Sequence, residues 1–243
     1  MERAKQIARQ FFQEIGFNVE EIPETDVKRA DLDVNDGHQQ YIVEVKEKLD
    51  TGSQLTVLPN SYPNLDRTIT REPHATSNRI DGTLKDGRKQ LKATPANQNA
   101  LRLIFLFFSG PNADMFVRRS LYTFYGVQDV IPVSEKGPGR NCVYFHNSFS
   151  FSSPHVDGLL LVQNRDLQLC LNEFSATCDV LRQSRLAQKM GMAIYDPAKF
   201  NDDDGKIVLR SAVSRTDERE ILNELERISG VRYDTITLHR YNF

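Results

Sequence analysis

Two stretches of apolar–polar alternation, 30–34 and 40–46, flank a short polar turn near the start of the chain. A period of two is that of a half-buried strand. Asp36 and Gly37 between them are a strong turn signal. A four-residue loop at Asp36–Gln39 pairs Asn35 with Gln40. That register sets Leu32 opposite Val43, Val34 opposite Tyr41 and Asp31 opposite Glu44. A two-residue turn at Asp36-Gly37 keeps the same faces but slides Asp31 opposite Ile42, and a three-residue loop mixes the faces and is rejected. Side chains two apart share a face. One face of the hairpin is therefore apolar, and the other carries Arg29, Asp31, Asp33, Glu44 and Lys46 and is expected to face solvent.

The neighbouring pattern builds a core around this hairpin. Residues 2–16 place Ala4, Ile7, Ala8, Phe11, Phe12 and Ile15 on one helical stripe that ends at Gly16. Residues 17–23 read as a first strand stopped by Pro23. Residues 51–77 are a long polar segment with Pro59, Pro63 and Pro73, of a length typical of lids and binding loops. Asn78 is placed to cap a helix running to Ala93, with Pro95 following and Gly82 and Gly87 weakening it. Leu101–Phe108 is a nearly unbroken apolar run, the mark of a strand covered on both faces and parallel to a neighbour. Strand, crossover helix and buried strand then make a right-handed βαβ unit.

The second half is less patterned. A helix is expected at 113–126, carrying Arg118 and Arg119. Strands are expected at 142–151 and 156–172, the latter a pair turning at 163–166. One helix should run from a cap at Asp179 to Gly191, and another from Asp217 to Gly230, with Glu220 completing a capping box. A last strand falls at about 231–241. Asn201-Asp202-Asp203-Asp204-Gly205 lacks EF-hand ligand spacing and reads as an exposed turn. No repeat and no linker separates the halves, so residues 1–243 read as one α/β domain with a mixed central sheet. Its core covers about 1–110, and an extension over about 111–243 continues that sheet or packs on it.

The candidate chemistry lies on the polar face of the hairpin. Directly opposed strand residues have Cβ atoms about 4.5–5.5 Å apart. Two carboxylates that close, Asp31 and Glu44, repel unless a cation lies between them. Oxygen ligands suit a hard cation, Mg²⁺ or Mn²⁺, rather than zinc. Taken singly, Glu44 and Lys46 describe a solvated strand face and Asp31 a strand-edge residue. Two carboxylates and an amine brought together at that spacing are what a Mg²⁺-dependent phosphodiester hydrolase needs.

These residues, Ala30-Asp31 followed by Glu44-Val45-Lys46 between two helices and before an apolar strand, resemble the PD-(D/E)XK superfamily of restriction-endonuclease-like nucleases. The resemblance covers roughly residues 1–110, the αβββαβ core of that fold, and Ala30 stands where the signature often has proline. It implies that Asp31 and Glu44, with the Val45 carbonyl, hold one or two Mg²⁺ (or Mn²⁺) ions, and that Lys46 positions the attacking water. It also suggests a helical glutamine after the third strand, which Gln90 supplies, and a first-helix glutamate, for which Glu14 is the best-placed candidate. Gln90 reads equally well as a solvated helix residue, and Glu14 better as a plain flank of its helix. DNA is the substrate the resemblance implies, in a prokaryotic restriction, defence, repair or mobile-element setting. The alternatives are a catalytically dead binding or assembly module and an RNA-processing nuclease.

Composition narrows this picture without changing it. The 243 residues carry a formal net charge of −2, so a nucleic acid has to be gripped by local charge. Arg79, Lys85, Arg88, Lys89 and Lys92, set against Asp81 and Asp86, are the candidate phosphate contacts, with Arg67, Arg71 and His74 in the preceding loop. No apolar run reaches membrane-spanning length, and Met-Glu-Arg-Ala-Lys is not a signal region. Cys142, Cys170 and Cys178, odd in number and without C-x-x-C spacing, read as buried free thiols of a cytoplasmic protein. The five histidines show no metal-ligand spacing, no P-loop or dinucleotide fingerprint is present, and monomer and homodimer both remain open.

Overall fold

A computed structural model of the chain describes residues 2–49, 76–133, 137–164, 166–200 and 205–235. Its first half runs α1 (Glu2–Glu14), β1 (Asn18–Glu21), β2 (Leu32–Asn35), β3 (Gln40–Leu49), α2 (Asn78–Ala93) and β4 (Leu101–Ser109). The fold is α/β with a mixed sheet. β1 and β2 pair antiparallel, as do β2 and β3, whereas β4 lies parallel to β3. The crossover through α2 is the βαβ unit expected from the apolar run at 101–108.

The hairpin register is the one the four-residue loop requires, with Asn35 opposite Gln40, Val34 opposite Tyr41 and Leu32 opposite Val43. The loop is built by Asp36. Its carboxylate accepts the His38 and Gln39 amides at 2.9 and 2.8 Å and the Tyr41 hydroxyl at 2.8 Å. Gly37 takes the left-handed backbone the turn needs, with φ at 94°.

The remaining elements are α3 (Ala113–Tyr125), β5 (Gln128–Pro132), β6 (Arg140–Val143), α4 (Phe149–Ser152), β7 (Gly158–Gln163) and β8 (Asp166–Leu171). They continue with α5 (Cys178–Gln183), α6 (Arg185–Met190), β9 (Ile194–Tyr195), β10 (Lys206–Val208), α7 (Glu218–Ser229) and β11 (Tyr233–Thr235). Strands β7, β8 and β9 extend the first sheet into the order β1-β2-β3-β4-β7-β8-β9. The others form a second sheet in the order β10-β6-β5-β11, with a small core of Val130, Cys142, Leu209, Ile221, Leu225 and Tyr233 beneath α7.

Two cores sandwich the large sheet. On one side Ala4, Ala8 and Phe12 of α1, with Leu181, Leu186 and Ala187 of α5 and α6, cover Leu32, Val34, Val43 and Val45. On the other, Ile80, Leu84 and Leu91 of α2, with Phe124 and Phe149, cover Ile42, Ile104 and Leu106. Among the described residues no helix is long and apolar enough to cross a membrane.

Several expectations from the sequence are corrected here. Ser77 rather than Asn78 caps α2, its side chain accepting the Ile80 amide. The strand expected at 142–151 ends at Val143, and α4 begins where Ser148 accepts the Phe151 amide. The single helix expected from Asp179 to Gly191 is two, because Ser184 leaves helical geometry (ψ 158°) and caps α6 through the Ala187 amide. Asp217 does cap α7, but it takes the Arg219 amide, so the reciprocal bond of a capping box with Glu220 is not what closes the helix. β2 begins at Leu32, leaving Asp31 just outside the strand. The loop expected at 51–77, with Arg67, Arg71 and His74, lies outside the described residues except at 76–77, as do the turn expected at Asn201–Gly205, except at Gly205, and the last strand beyond Thr235.

Candidate active site

Asp31, Glu44 and Lys46 come together at the start of β2. Glu44 and Lys46, two apart on β3, project from one face, and Lys46 Nζ lies 2.5 Å from Glu44 Oε1. Asp31 precedes β2 where the ladder loses its regular pattern. Its own amide donates to the Val43 carbonyl at 3.1 Å, and its Oδ2 accepts the Val45 amide at 2.8 Å. The apolar partners Leu32, Val43 and Val45 are buried on the opposite face.

The site is not the open polar surface that alternation suggests. Helix α2 lies over it, and the Glu44 side chain is only 1% exposed, against 15% for Lys46 and 13% for Asp31. Gly87 sits at this contact. A Cβ there would stand 3.4 Å from Glu44 Cγ and 3.2 Å from Ile104 Cδ1, so the Ile104 side chain would have to give by a few tenths of an ångström. Gly87, a weak point for an isolated helix, lets this one lie against both side chains without displacing either.

Burial sets the electrostatics. Glu44 Oε2 is buried with no hydrogen-bond partner among the described residues. Loss of solvent, and secondly the charge of Asp31, push the Glu44 carboxyl up to about 8, against the opposing pull of Lys46. A proton or a cation between the two carboxylates would satisfy that orphan oxygen. Two carboxylates with adjacent backbone oxygen are a hard-cation donor set. Among the described residues no three His, Cys, Asp or Glu side chains converge.

Two contacts hold Asp31 that the sequence did not reveal. Lys5 of α1 reaches Asp31 Oδ1 at 2.8 Å. Thr94, buried just after α2, accepts the Ala30 amide at 2.7 Å and donates to the Gln90 carbonyl at 2.8 Å. The second contact uses the Ala30 N–H to tie the strand to α2, a role proline, which has no N–H, could not fill. A third residue was legible and overlooked. Lys48 continues the Glu44, Lys46 alternation. Burial, then the neighbouring Arg79 and Lys46, lower its pKa, so three like charges gather at the outer end of the site.

Other expected residues are elsewhere. Glu14 lies exposed at the far end of α1, accepting from Gln10, whereas the α1 residue at the site is Lys5. Gln90 is half-buried on α2, and its side chain makes no hydrogen bond among the described residues. Asp33 is occupied by Gln40 Nε2 at 2.7 Å. Of the basic stretch, Lys85 pairs with Asp81 and Lys89 with Asp86. Arg88 is turned inward to the Ser152 carbonyl and Ser153 Oγ, which makes it a packing contact, while Arg79 and Lys92 remain exposed. All three cysteines are buried and free.

Comparison of the chain with protein-family models, curated proteins and solved structures gives no match.

Proposed function

We propose that this chain is a Mg²⁺-dependent nuclease that hydrolyses DNA phosphodiester bonds, built on a restriction-endonuclease-like core over about residues 1–110. The element order α1-β1-β2-β3-α2-β4, with β4 parallel to β3, supports the core. One observation carries the chemistry: a buried, unpartnered Glu44 oxygen beside the Asp31 carboxylate, with the Lys46 ammonium at 2.5 Å from its other oxygen. Asp31, Glu44 and the Val45 carbonyl would hold the ion. When bound, the ion supplies an acidified water and neutralises charge on the scissile phosphate. Lys46 orients the attacking water and stabilises charge developing on the phosphate oxygens. Helix α2 keeps bulk water from Glu44, so these interactions act in a low-dielectric setting.

A second reading is favoured by a specific feature. Each carboxylate already has an amine partner, Lys5 for Asp31 and Lys46 for Glu44, so neither lacks a counter-charge without an ion. A binding or assembly module on the same fold would keep such a self-contained site.

Cleavage decides between them. Wild type, Glu44→Gln and Lys46→Ala are incubated with supercoiled plasmid and with single-stranded RNA, in Mg²⁺ and in Mn²⁺. The nuclease reading expects DNA cleavage by wild type, reduced about 10²–10³-fold in Lys46→Ala and abolished in Glu44→Gln. Cleavage of RNA alone would shift the substrate. No cleavage by wild type in either ion would bring the binding module forward, and variants as active as wild type would place the chemistry elsewhere.

A further inference from the structure

The acidic pair is matched by two amines of different origin. Lys46 is two residues from Glu44 on the same strand, so it is a fixed feature of the site. Lys5 comes from α1, reaches Asp31 Oδ1 at 2.8 Å, and is 21% exposed. A long, flexible, partly exposed ammonium can leave its partner at little cost in packing. It can do so without unseating Asp31, because Oδ2 is held independently by the Val45 amide.

We propose that Lys5 is a tethered counter-ion: it occupies the Asp31 side of the acidic site in the ion-free protein, and a divalent cation has to displace it to bind. This rests on the nuclease reading only in taking Asp31 and Glu44 as the cation site. The physical argument is competition. The cation and the Lys5 ammonium seek the same carboxylate, and two positive charges within a few ångströms in a half-buried site repel strongly. Glu44 Oε2, buried and unpartnered, is the acceptor that gives the cation something Lys5 does not reach. In the ion-free chain Lys5 holds Asp31 Oδ1 and so keeps the site assembled. It also raises the threshold for loading, so that a weakly held ion does not populate the site. Lys5 is thus a positioning residue, acting through Asp31 rather than on a substrate.

The test is ion binding, measured apart from catalysis. Mn²⁺ and Ca²⁺ are titrated calorimetrically into the full chain as wild type, Lys5→Met, Lys5→Arg and Glu44→Gln, with circular dichroism checking that each is folded. Methionine keeps the aliphatic stem against the helix and removes the charge. Arginine keeps the charge. The expected result is about tenfold tighter binding in Lys5→Met, near wild-type binding in Lys5→Arg, and none in Glu44→Gln. Thermal melts should agree: without ions Lys5→Met melts below wild type, and its ion-induced rise is the larger. Binding by wild type with equal or weaker binding by Lys5→Met overturns the counter-ion role and leaves the cation site standing. Binding by Lys5→Met but not by wild type supports the role in its strongest form. Binding by neither overturns the cation site and the counter-ion role together.

Discussion

The Asp31 carboxylate accepts the Val45 amide at 2.8 Å, so a side chain rather than a β2 carbonyl closes the ladder at the mouth of the site. This bond fixes Asp31 against the strand that carries Glu44 and Lys46. It makes the spacing of the three groups a property of the backbone rather than of rotamers alone.

Glu44 should make the ion-free protein sensitive to pH. Burial, then Asp31, raise its pKa from 4.5 to about 8. Between those values the folded chain holds a proton that the unfolded chain has lost, so stability falls as pH rises through that window. Thermal melts in chelator between about pH 5 and pH 8 should show a declining Tm, and Glu44→Gln should flatten the decline. An equal slope in the variant would assign the titration to another group.

Lys46→Ala should cost more than activity. Its loss leaves a buried carboxylate without its amine, a penalty of about 1–3 kcal/mol when Glu44 is ionised. Urea denaturation should show this penalty above the Glu44 value of about 8, and much less of it near pH 6, where the carboxyl is neutral. A pH-independent cost would mean that the Lys46 stem, not its charge, supports the fold.

Thr94 ties Ala30 to the end of α2 across 64 residues of sequence. Thr94→Val removes the acceptor and leaves a buried amide unpaired, at about 1–3 kcal/mol. Faster hydrogen exchange at the Ala30 amide should accompany the loss, and Thr94→Ser should restore both. If Thr94→Val exchanges no faster than wild type, the anchor is not what holds Asp31 in place.

Lys48 and Arg79 are the better phosphate candidates, because Arg88 is committed to α4. Replacing Lys48 and Arg79 by alanine should reduce the slope of log affinity against log salt by about one per side chain, equally for unrelated DNA sequences. Arg88→Ala should instead lower stability and leave the slope unchanged. The opposite outcome would make Arg88 the grip and Lys48 a plain strand residue.

Much of the site was legible because its determinants are local. Alternation of period two placed Glu44 and Lys46 on one face, and the Asp36 loop set the register that brings Asp31 beside them. The apolar stripe of α1 and the unbroken run of β4 likewise follow from patterns a few residues long. The helix break at Ser184 and the short strand at β6 were harder to see, since competing caps and strand ends differ by little in sequence. Of the second sheet the sequence showed only strand segments at 142–151 and about 231–241, and neither β5 and β10 nor the pairing, because strands of three to five residues gain their stability from partners distant in the chain. Three decisions at the site belonged to the tertiary structure alone. Whether the polar face met water or α2 depended on how that helix packs across β3, with Gly87 against Glu44. Which α1 side chain reached the site, Lys5 rather than Glu14, depended on where that helix crosses the sheet. How strongly Glu44 holds its proton depended on both, since burial and a neighbouring charge act through space and leave no mark on the order of residues.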